Sequence, residues 1–231
     1  MKKQFGKYFK IMWIAIMIIG ITGCHQDKEL YVYLVRHGQT YSNVQGMLVG
    51  GDGNYDLTQR GISDSISLGN NLKDIPFIAA YSSTLGRTYD TANYILTGAG
   101  QEDMSVEKVE GIKDISWGDA EGYTVKGFVE AYKMDEFPDA FGDANDADFV
   151  SPINAESKYD FCNRFQESLL DIAMRHEQTG GNVLVVGHSS MYFWLQRYFS
   201  EKDLEELENT SVTVLKYNNG EWELIKYNTI Y

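Results

Sequence analysis

The sequence predicts an α/β fold in which strands alternate with helices and the chain ends in a C-terminal hairpin. Three observations predict it. Short apolar runs alternate with stretches of helical period. Two of those runs, Leu30–Val35 and Val183–Val186, are continuously apolar, as strands covered on both faces must be. The tail pairs Val212–Tyr217 with Trp222–Tyr227 across an Asn218-Asn219-Gly220 turn, a hairpin signal.

Each element has its own warrant. Leu30–Val35 reads as a strand running straight into Arg36-His37-Gly38. Thr58 caps a helix through about Leu72, because a Thr hydroxyl satisfies the free amides of a first turn. Phe77–Ser82 is a second strand, and Thr84–Leu96 a helix with Leu85, Tyr89, Ala92 and Ile95 or Leu96 on one face. Met104–Val109 is expected as a third strand. Ser157–Gln178 is a long helix in which Phe161, Phe165, Leu169, Ile172 and Ala173 recur at core spacing. Thr179-Gly180-Gly181-Asn182 breaks the chain before Val183–Val186, and a last helix begins near Ser190.

Composition narrows the function. Lys+Arg 20 against Asp+Glu 33 gives a net charge of −13, which repels nucleic acid unless a basic patch is segregated. The first residues are read as an address rather than as fold. Lys2, Lys3, Lys7 and Lys10 precede an apolar run from Ile11 to Ile21, too short for a membrane span, which takes about 20 residues. Ile21-Thr22-Gly23-Cys24 resembles the bacterial lipobox, so residues 1–23 are expected to be a lipoprotein signal peptide and Cys24 the lipidated mature N-terminus. The remaining 24–231 form a single domain with 16 basic and 33 acidic residues, net −17. Localisation is expected to be extracytoplasmic, the membrane being reached through the lipid on Cys24. Cys162 lies in an apolar helical stretch and reads as a buried, inert thiol. Residues 119–160 carry 11 acids against three lysines, and read either as an acidic lid inserted over one sheet edge or as a solvated loop. His25 and His176 read as surface residues.

Ligands of open α/β sheets bind beyond the carboxyl ends of the strands. Two strands end there in histidine, His37 and His188, with Arg36 beside the first; Arg87 follows a third strand. Together they make a local cationic pocket in an acidic protein, suited to phosphate, because guanidinium forks pair with phosphate oxygens.

At this point the motifs resemble those of the histidine phosphatase superfamily, also called the phosphoglycerate mutase-like family. Arg36-His37-Gly38-Gln39-Thr40 with Asn43 is similar to its defining motif, Asp56–Gly61 to the following segment, Ser82–Ala92 to the second-arginine segment and Val183–Ser189 to the second-histidine strand. Ile112–Gly122 resembles the segment carrying the family's acid. The correspondence runs from about residue 30 to 200. The resemblance implies the phosphoglycerate mutase-like fold, a three-layer sandwich whose mixed, mostly parallel sheet carries helices on both faces, and a small phosphorylated substrate. No metal-ligand spacing such as His-x-x-x-His or paired Cys is present, so no cofactor and no metal are expected. The resemblance also implies His37 as nucleophile forming a phosphohistidine, and Arg36, Asn43, Arg87 and His188 as phosphate ligands. Asp114 would be the proton donor, with Glu110 and Glu121 as alternatives. Two residues depart from the pattern: Asp114 stands where Glu is commoner, and Ser189 where Gly is commoner. The acidic insert and the export signal favour a phosphomonoesterase over a mutase-type phosphotransferase. A non-catalytic phospho-ligand binding lipoprotein is the alternative from another class, and an envelope structural lipoprotein a third.

Overall fold

The computed structural model describes residues 28–201 and 204–231, so Cys24, His25 and the expected signal peptide lie outside the described residues. Six strands form one sheet in the order β3-β2-β4-β1-β5-β6. They are β1 (Leu30–Arg36), β2 (Phe77–Ser82), β3 (Val106–Lys108), β4 (Gly181–Gly187), β5 (Val212–Asn218) and β6 (Glu221–Thr229). The first four are mutually parallel; β5 runs antiparallel to β1, and β6 closes the C-terminal hairpin.

Period-two alternation divides the sheet between two cores. Val32, Leu34, Val183 and Val185 face a core shared with α5 (Lys158–His176) and α6 (Met191–Phe199), built on Phe161, Phe165 and Trp194. Val35, Leu184 and Val186 face the other, under α2 (Gln59–Asn71) and α3 (Gly86–Gly98), with Leu68, Ile95 and Leu96. The layers are therefore helix, sheet, helix, the expected sandwich.

Several boundaries differ from the sequence reading for local reasons. β3 is shorter than Met104–Val109, because it pairs only with Ala80–Ser82 of β2 and Met104 is held in a turn on Gln101. Thr84 lies outside α3: its hydroxyl donates to Glu110 at 2.8 Å, and Leu85 occupies the cap position. Ser157 caps α5 rather than entering it, accepting from the Asp160 amide at 3.0 Å. Thr58 caps α2 as expected, accepting from the Gly61 amide at 3.0 Å. His176 is half-buried, not a free surface residue: its Nε2 is hydrogen-bonded with the Tyr81 hydroxyl at 2.8 Å. Cys162 is buried, and burial pushes its thiol up to about 11.

The 119–160 stretch contains α4 (Val125–Tyr132) after the short α1 (Tyr41–Gln45) of the first loop. Ala120, Phe128, Ala140, Phe141 and Ile153 are buried within the α5/α6-side core, and Trp117 packs edge-on against Phe141 with centroids 4.5 Å apart. The carboxylates from Asp135 to Asp148 are exposed. The stretch therefore joins an apolar underside to an acidic outer face. Among the described residues no helix is long and apolar enough to cross a membrane.

Helices α2 and α3 cross at a pair of glycines. A Cβ on Gly69 would stand 2.1 Å from the Ile95 carbonyl oxygen, and one on Gly98 2.2 Å from that of Ile66. Alanine gains about 1 kcal/mol of helix propensity at each site. Overpacking against backbone, which cannot rotate away, costs about 1–3 kcal/mol or more per site. The double variant Gly69→Ala/Gly98→Ala is therefore expected to lose about 2 kcal/mol net, read as a lower midpoint in urea unfolding. An unchanged midpoint would show that the helices separate freely.

Candidate active site

The site is assembled by strand register. Arg36, the last residue of β1, lies opposite Gly187, the last of β4, and the His37 amide donates to the Gly187 carbonyl at 3.0 Å. His37 and His188 therefore leave adjacent parallel strands at the same edge, their rings 5.4 Å apart. On the other side of β4, the Ser83 amide donates to Val186 at 3.2 Å, bringing in the start of α3 with Arg87. His37 is 4% exposed, His188 0% and Arg87 2%.

His37 Nδ1 contacts the Gly38 carbonyl at 2.8 Å. A carbonyl only accepts, so the proton sits on Nδ1 and Nε2 carries the free lone pair. Burial, then Arg87 and Arg36, hold this imidazole well below the ordinary histidine range, so it is neutral at neutral pH. Its carbonyl accepts from Asn209 Nδ2 at 2.9 Å, and the Gly38 amide donates to Thr91 Oγ1 at 2.9 Å. Gly38 serves packing rather than ligand approach: a Cβ there would stand 2.7 Å from the Gly61 carbonyl oxygen.

Beside the His37 ring stand Arg87, Arg36 and His188. Arg36 reaches the Leu207 carbonyl and lies 3.6 Å from Glu206, while its buried Nε has no hydrogen-bond partner among the described residues. His188 Nε2 is hydrogen-bonded with Ser83 Oγ at 2.8 Å, which turns Nδ1 inward, and that buried nitrogen also lacks a hydrogen bond. Burial and then Arg87 keep this ring well below the histidine range too. Arg36 Nε and His188 Nδ1 are thus left for polar groups from outside the protein. Arg87 is partly spent: it donates to the carbonyls of Gly53 (2.8 Å) and Gly50 (3.0 Å), and to Asp114 Oδ2 at 3.2 Å. Asn43 closes a capping box, its Oδ1 accepting from the Thr40 amide at 3.0 Å, which leaves its amide NH2 as the group to offer a ligand.

Asp114 joins this group; the two fallback acids do not. Its Oδ1 accepts from Ser190 Oγ at 2.6 Å and from the Ile115 amide at 3.0 Å. Its Oδ2 lies 3.2 Å from Arg87 and 3.4 Å from His188 Nδ1. With Oδ1 already accepting two bonds, a proton on this carboxyl belongs on Oδ2, at the cationic cluster. Burial raises Asp114 above the usual aspartate value, outweighing Arg87 and its hydrogen bonds. Glu121 is a brace: its Oε1 accepts from the Gly50 amide at 2.7 Å, and its Oε2 from Trp117 at 3.3 Å. Glu110 is exposed and held down by the Thr84 hydroxyl first and Lys113 second. The Ser189 hydroxyl is given to Glu206. Sequence reasoning did not single out Ser83, Ser190 or Asn209; the Ser-Ser pair after His188 was the only signal for one of them. Among the described residues no three His, Cys, Asp or Glu side chains gather as they would around a metal ion.

A profile of the histidine phosphatase superfamily (branch 1) matches residues 32–230. The chain belongs to that superfamily. Among curated relatives, histidine phosphatase superfamily similarity extends to the 2,3-bisphosphoglycerate-dependent phosphoglycerate mutase of Mesorhizobium japonicum. It is 29% identical over 176 residues, 75% of this chain and 83% of that enzyme. The enzyme of the same name from Bartonella tribocorum is 35% identical over 91 residues, 38% of this chain and only 44% of its own length. Among solved structures, the phosphoglycerate mutase from Bacillus anthracis superposes with a TM-score of 0.76 at 25% identity, covering 89% of this chain and 96% of that one.

The two donors on Oδ1 give this histidine phosphatase superfamily site a direct test. The Ser190 hydrogen bond lowers the Asp114 pKa, so Ser190→Ala is expected to move it further up. The measurement is a carboxyl 13C NMR titration of wild type and variant; a downward or absent shift contradicts the assigned contact.

Proposed function

We propose that the protein is a metal-independent phosphomonoesterase acting through a phosphohistidine on His37, held outside the cytoplasm by lipid on Cys24. The observation that carries the reading is the His37 tautomer: Nδ1 is committed to Gly38, so a neutral, unprotonated Nε2 stands among two arginines and His188. In the proposed reaction Nε2 attacks phosphorus while the bond to the leaving oxygen breaks, and Asp114 gives its Oδ2 proton to that oxygen. Arg36, Arg87, His188 and Asn43 hold the phosphoryl oxygens, the substrate meeting the unpartnered Arg36 Nε and His188 Nδ1. Asp114, now a carboxylate, takes a proton from water; the water attacks phosphorus, and phosphate and free His37 are released.

The pH dependence follows from the signs. The attacking form has His37 neutral and Asp114 protonated. His37 is held well below 6.5, so the acid limb of kcat/KM lies below the ordinary histidine range. Asp114 is raised above 3.8, so the basic limb lies above the ordinary aspartate range. Hydrolysis of p-nitrophenyl phosphate is expected to peak on the acidic side of neutrality and to vanish in His37→Ala. Wild type is expected to yield an acid-labile, base-stable phosphoprotein on quenching. Asp114→Asn is expected to lose the basic limb and about 10²–10⁴-fold in rate on an alkyl ester. Phosphate binding without turnover in either wild type or His37→Ala would reverse the reading in favour of a binding protein.

A second reading, mutase-type phosphotransfer, is favoured by the names of the curated relatives. The acids on this side of the sheet weigh against it: Glu206 lies 3.6 Å from Arg36, and exposed Glu110 and Asp52 flank the loops that carry Asp114. An anionic second end of a substrate would meet them. Conversion of 3-phosphoglycerate to 2-phosphoglycerate with bisphosphoglycerate present, faster than phosphate release, would establish transfer instead.

The anchor is supported by the sequence before β1. The strand enters the sheet at Leu30, six residues after Cys24, at the edge opposite the histidines, so the pocket would face away from the lipid surface. The full chain is expected to take up labelled palmitate and enter the detergent phase, and Cys24→Ala to do neither. Equal partitioning of both would remove the anchor.

A further inference from the structure

The side chain that holds the proton-donor loop comes from α5, fifty positions away in sequence. Arg164 Nη1 donates to the carbonyls of Gly111 at 3.0 Å and Lys113 at 2.7 Å, and Nη2 to that of Asp114 itself at 2.9 Å. Its remaining donors meet one carboxylate: Nε to Glu156 Oε1 and Nη2 to Glu156 Oε2, both at 2.6 Å. All five guanidinium N–H groups are used. Glu156 grips the far side of the same loop, its Oε2 accepting from the Ser116 amide at 3.3 Å and its own amide donating to the Ser116 carbonyl at 3.1 Å. The loop lies directly on α5, for a Cβ on Gly111 would stand 1.9 Å from Ser168 Oγ. The guanidinium in turn rests on the Phe161 ring, 4.8 Å from its centroid.

Resting on the phosphatase reading, we propose that Arg164, with Glu156 as its counter-charge, is the positioning residue for the proton donor. It touches no phosphate ligand. It fixes the backbone of residues 111–116 so that Asp114 Oδ2 stays against the leaving-group oxygen. Only a planar fork can reach three carbonyls and a carboxylate at once, so lysine, a point charge on a flexible stem, cannot replace it.

Leaving-group dependence separates this role from a structural one. A dinitrophenolate leaves without a proton; an alkoxide does not. The full chain, Arg164→Lys and Glu156→Gln are compared by kcat/KM on 2,4-dinitrophenyl phosphate and on glycerol 2-phosphate, with inhibition by inorganic phosphate measured alongside. Arg164→Lys is expected to lose on the order of ten- to a hundredfold on the alkyl ester, with the aryl ester and phosphate inhibition within about threefold of wild type. Glu156→Gln is expected to fall in the same direction by less. In an Asp114→Asn background the Arg164→Lys change is expected to have no further effect on the alkyl ester. Equal partial losses on both esters by an active Arg164→Lys, or additivity with Asp114→Asn, would overturn the proposal. If Arg164→Lys is inactive on both, Glu156→Gln decides by the same comparison. A wild type that cleaves neither ester overturns the phosphatase reading itself, and this proposal with it.

Discussion

The in-register parallel pairing of β1 with β4 is the constraint on which the rest of the molecule depends. Arg36 opposite Gly187 places two histidines from chain positions 37 and 188 beside one another. The same pairing sends Val32, Leu34, Val183 and Val185 to one core and Val35, Leu184 and Val186 to the other. A slip of one residue would carry each side chain to the opposite face and separate the two rings. The cores therefore enforce the register, and the register builds the site. Burial on both faces makes that enforcement strong at the centre of the sheet, where the site lies, and weaker at β3, where only three residues pair.

Burying arginines at that edge requires compensation. A charge removed from water costs several kcal/mol unless it is paired and hydrogen-bonded. Arg87 meets the requirement with two loop carbonyls and the Asp114 carboxylate. Asp114 is thus the counter-anion of Arg87. On the proposed reaction, the arrival of a phosphate dianion sets like charges beside Asp114, which favours its protonation. Binding would then free Arg87 for the phosphate and load the acid in the same step. The burial that already raises Asp114 makes this exchange less costly.

The parts legible in the sequence were those whose chemistry is written next to a strand end. Arg36, His37 and His188 follow continuous apolar runs, and Arg87 opens a helix directly after one. The structure brings all four together. Gly38 stands inside the phosphate motif, yet its missing Cβ makes room for the Gly61 carbonyl, a packing need that no local pattern encodes. Ser83, Ser190, Asn209 and Arg164 were illegible for a common reason. Each acts on a partner far away in sequence, Ser190 on Asp114 and Arg164 on residues 111–114, and no local period or spacing encodes such a contact. Among three acids at similar distances along one loop, only hydrogen-bond partners distinguish the residue facing the cluster from the brace and the surface group.

The global charge of −13 bears on the site through Glu206. It is 62% exposed, lies 3.6 Å from Arg36, and accepts the Ser189 hydroxyl, so it stands beside the proposed phosphate site without entering the buried cluster. Two unit charges about 4 Å apart interact by about 1 kcal/mol in water and about 4 kcal/mol at the dielectric of a protein surface. On the proposed function, a phosphoryl group bound at Arg36 would outweigh that single repulsion, because two arginines and further hydrogen bonds would act on it at contact. A second anionic group on such a substrate would have no such compensation and would meet Glu206 and its neighbours alone. Exposed charges are screened beyond about 8–10 Å at physiological salt. On the proposed function, the acidic exterior would therefore discriminate by what touches the rim, and rising salt would weaken that discrimination more than it weakens the proposed phosphate pocket beneath.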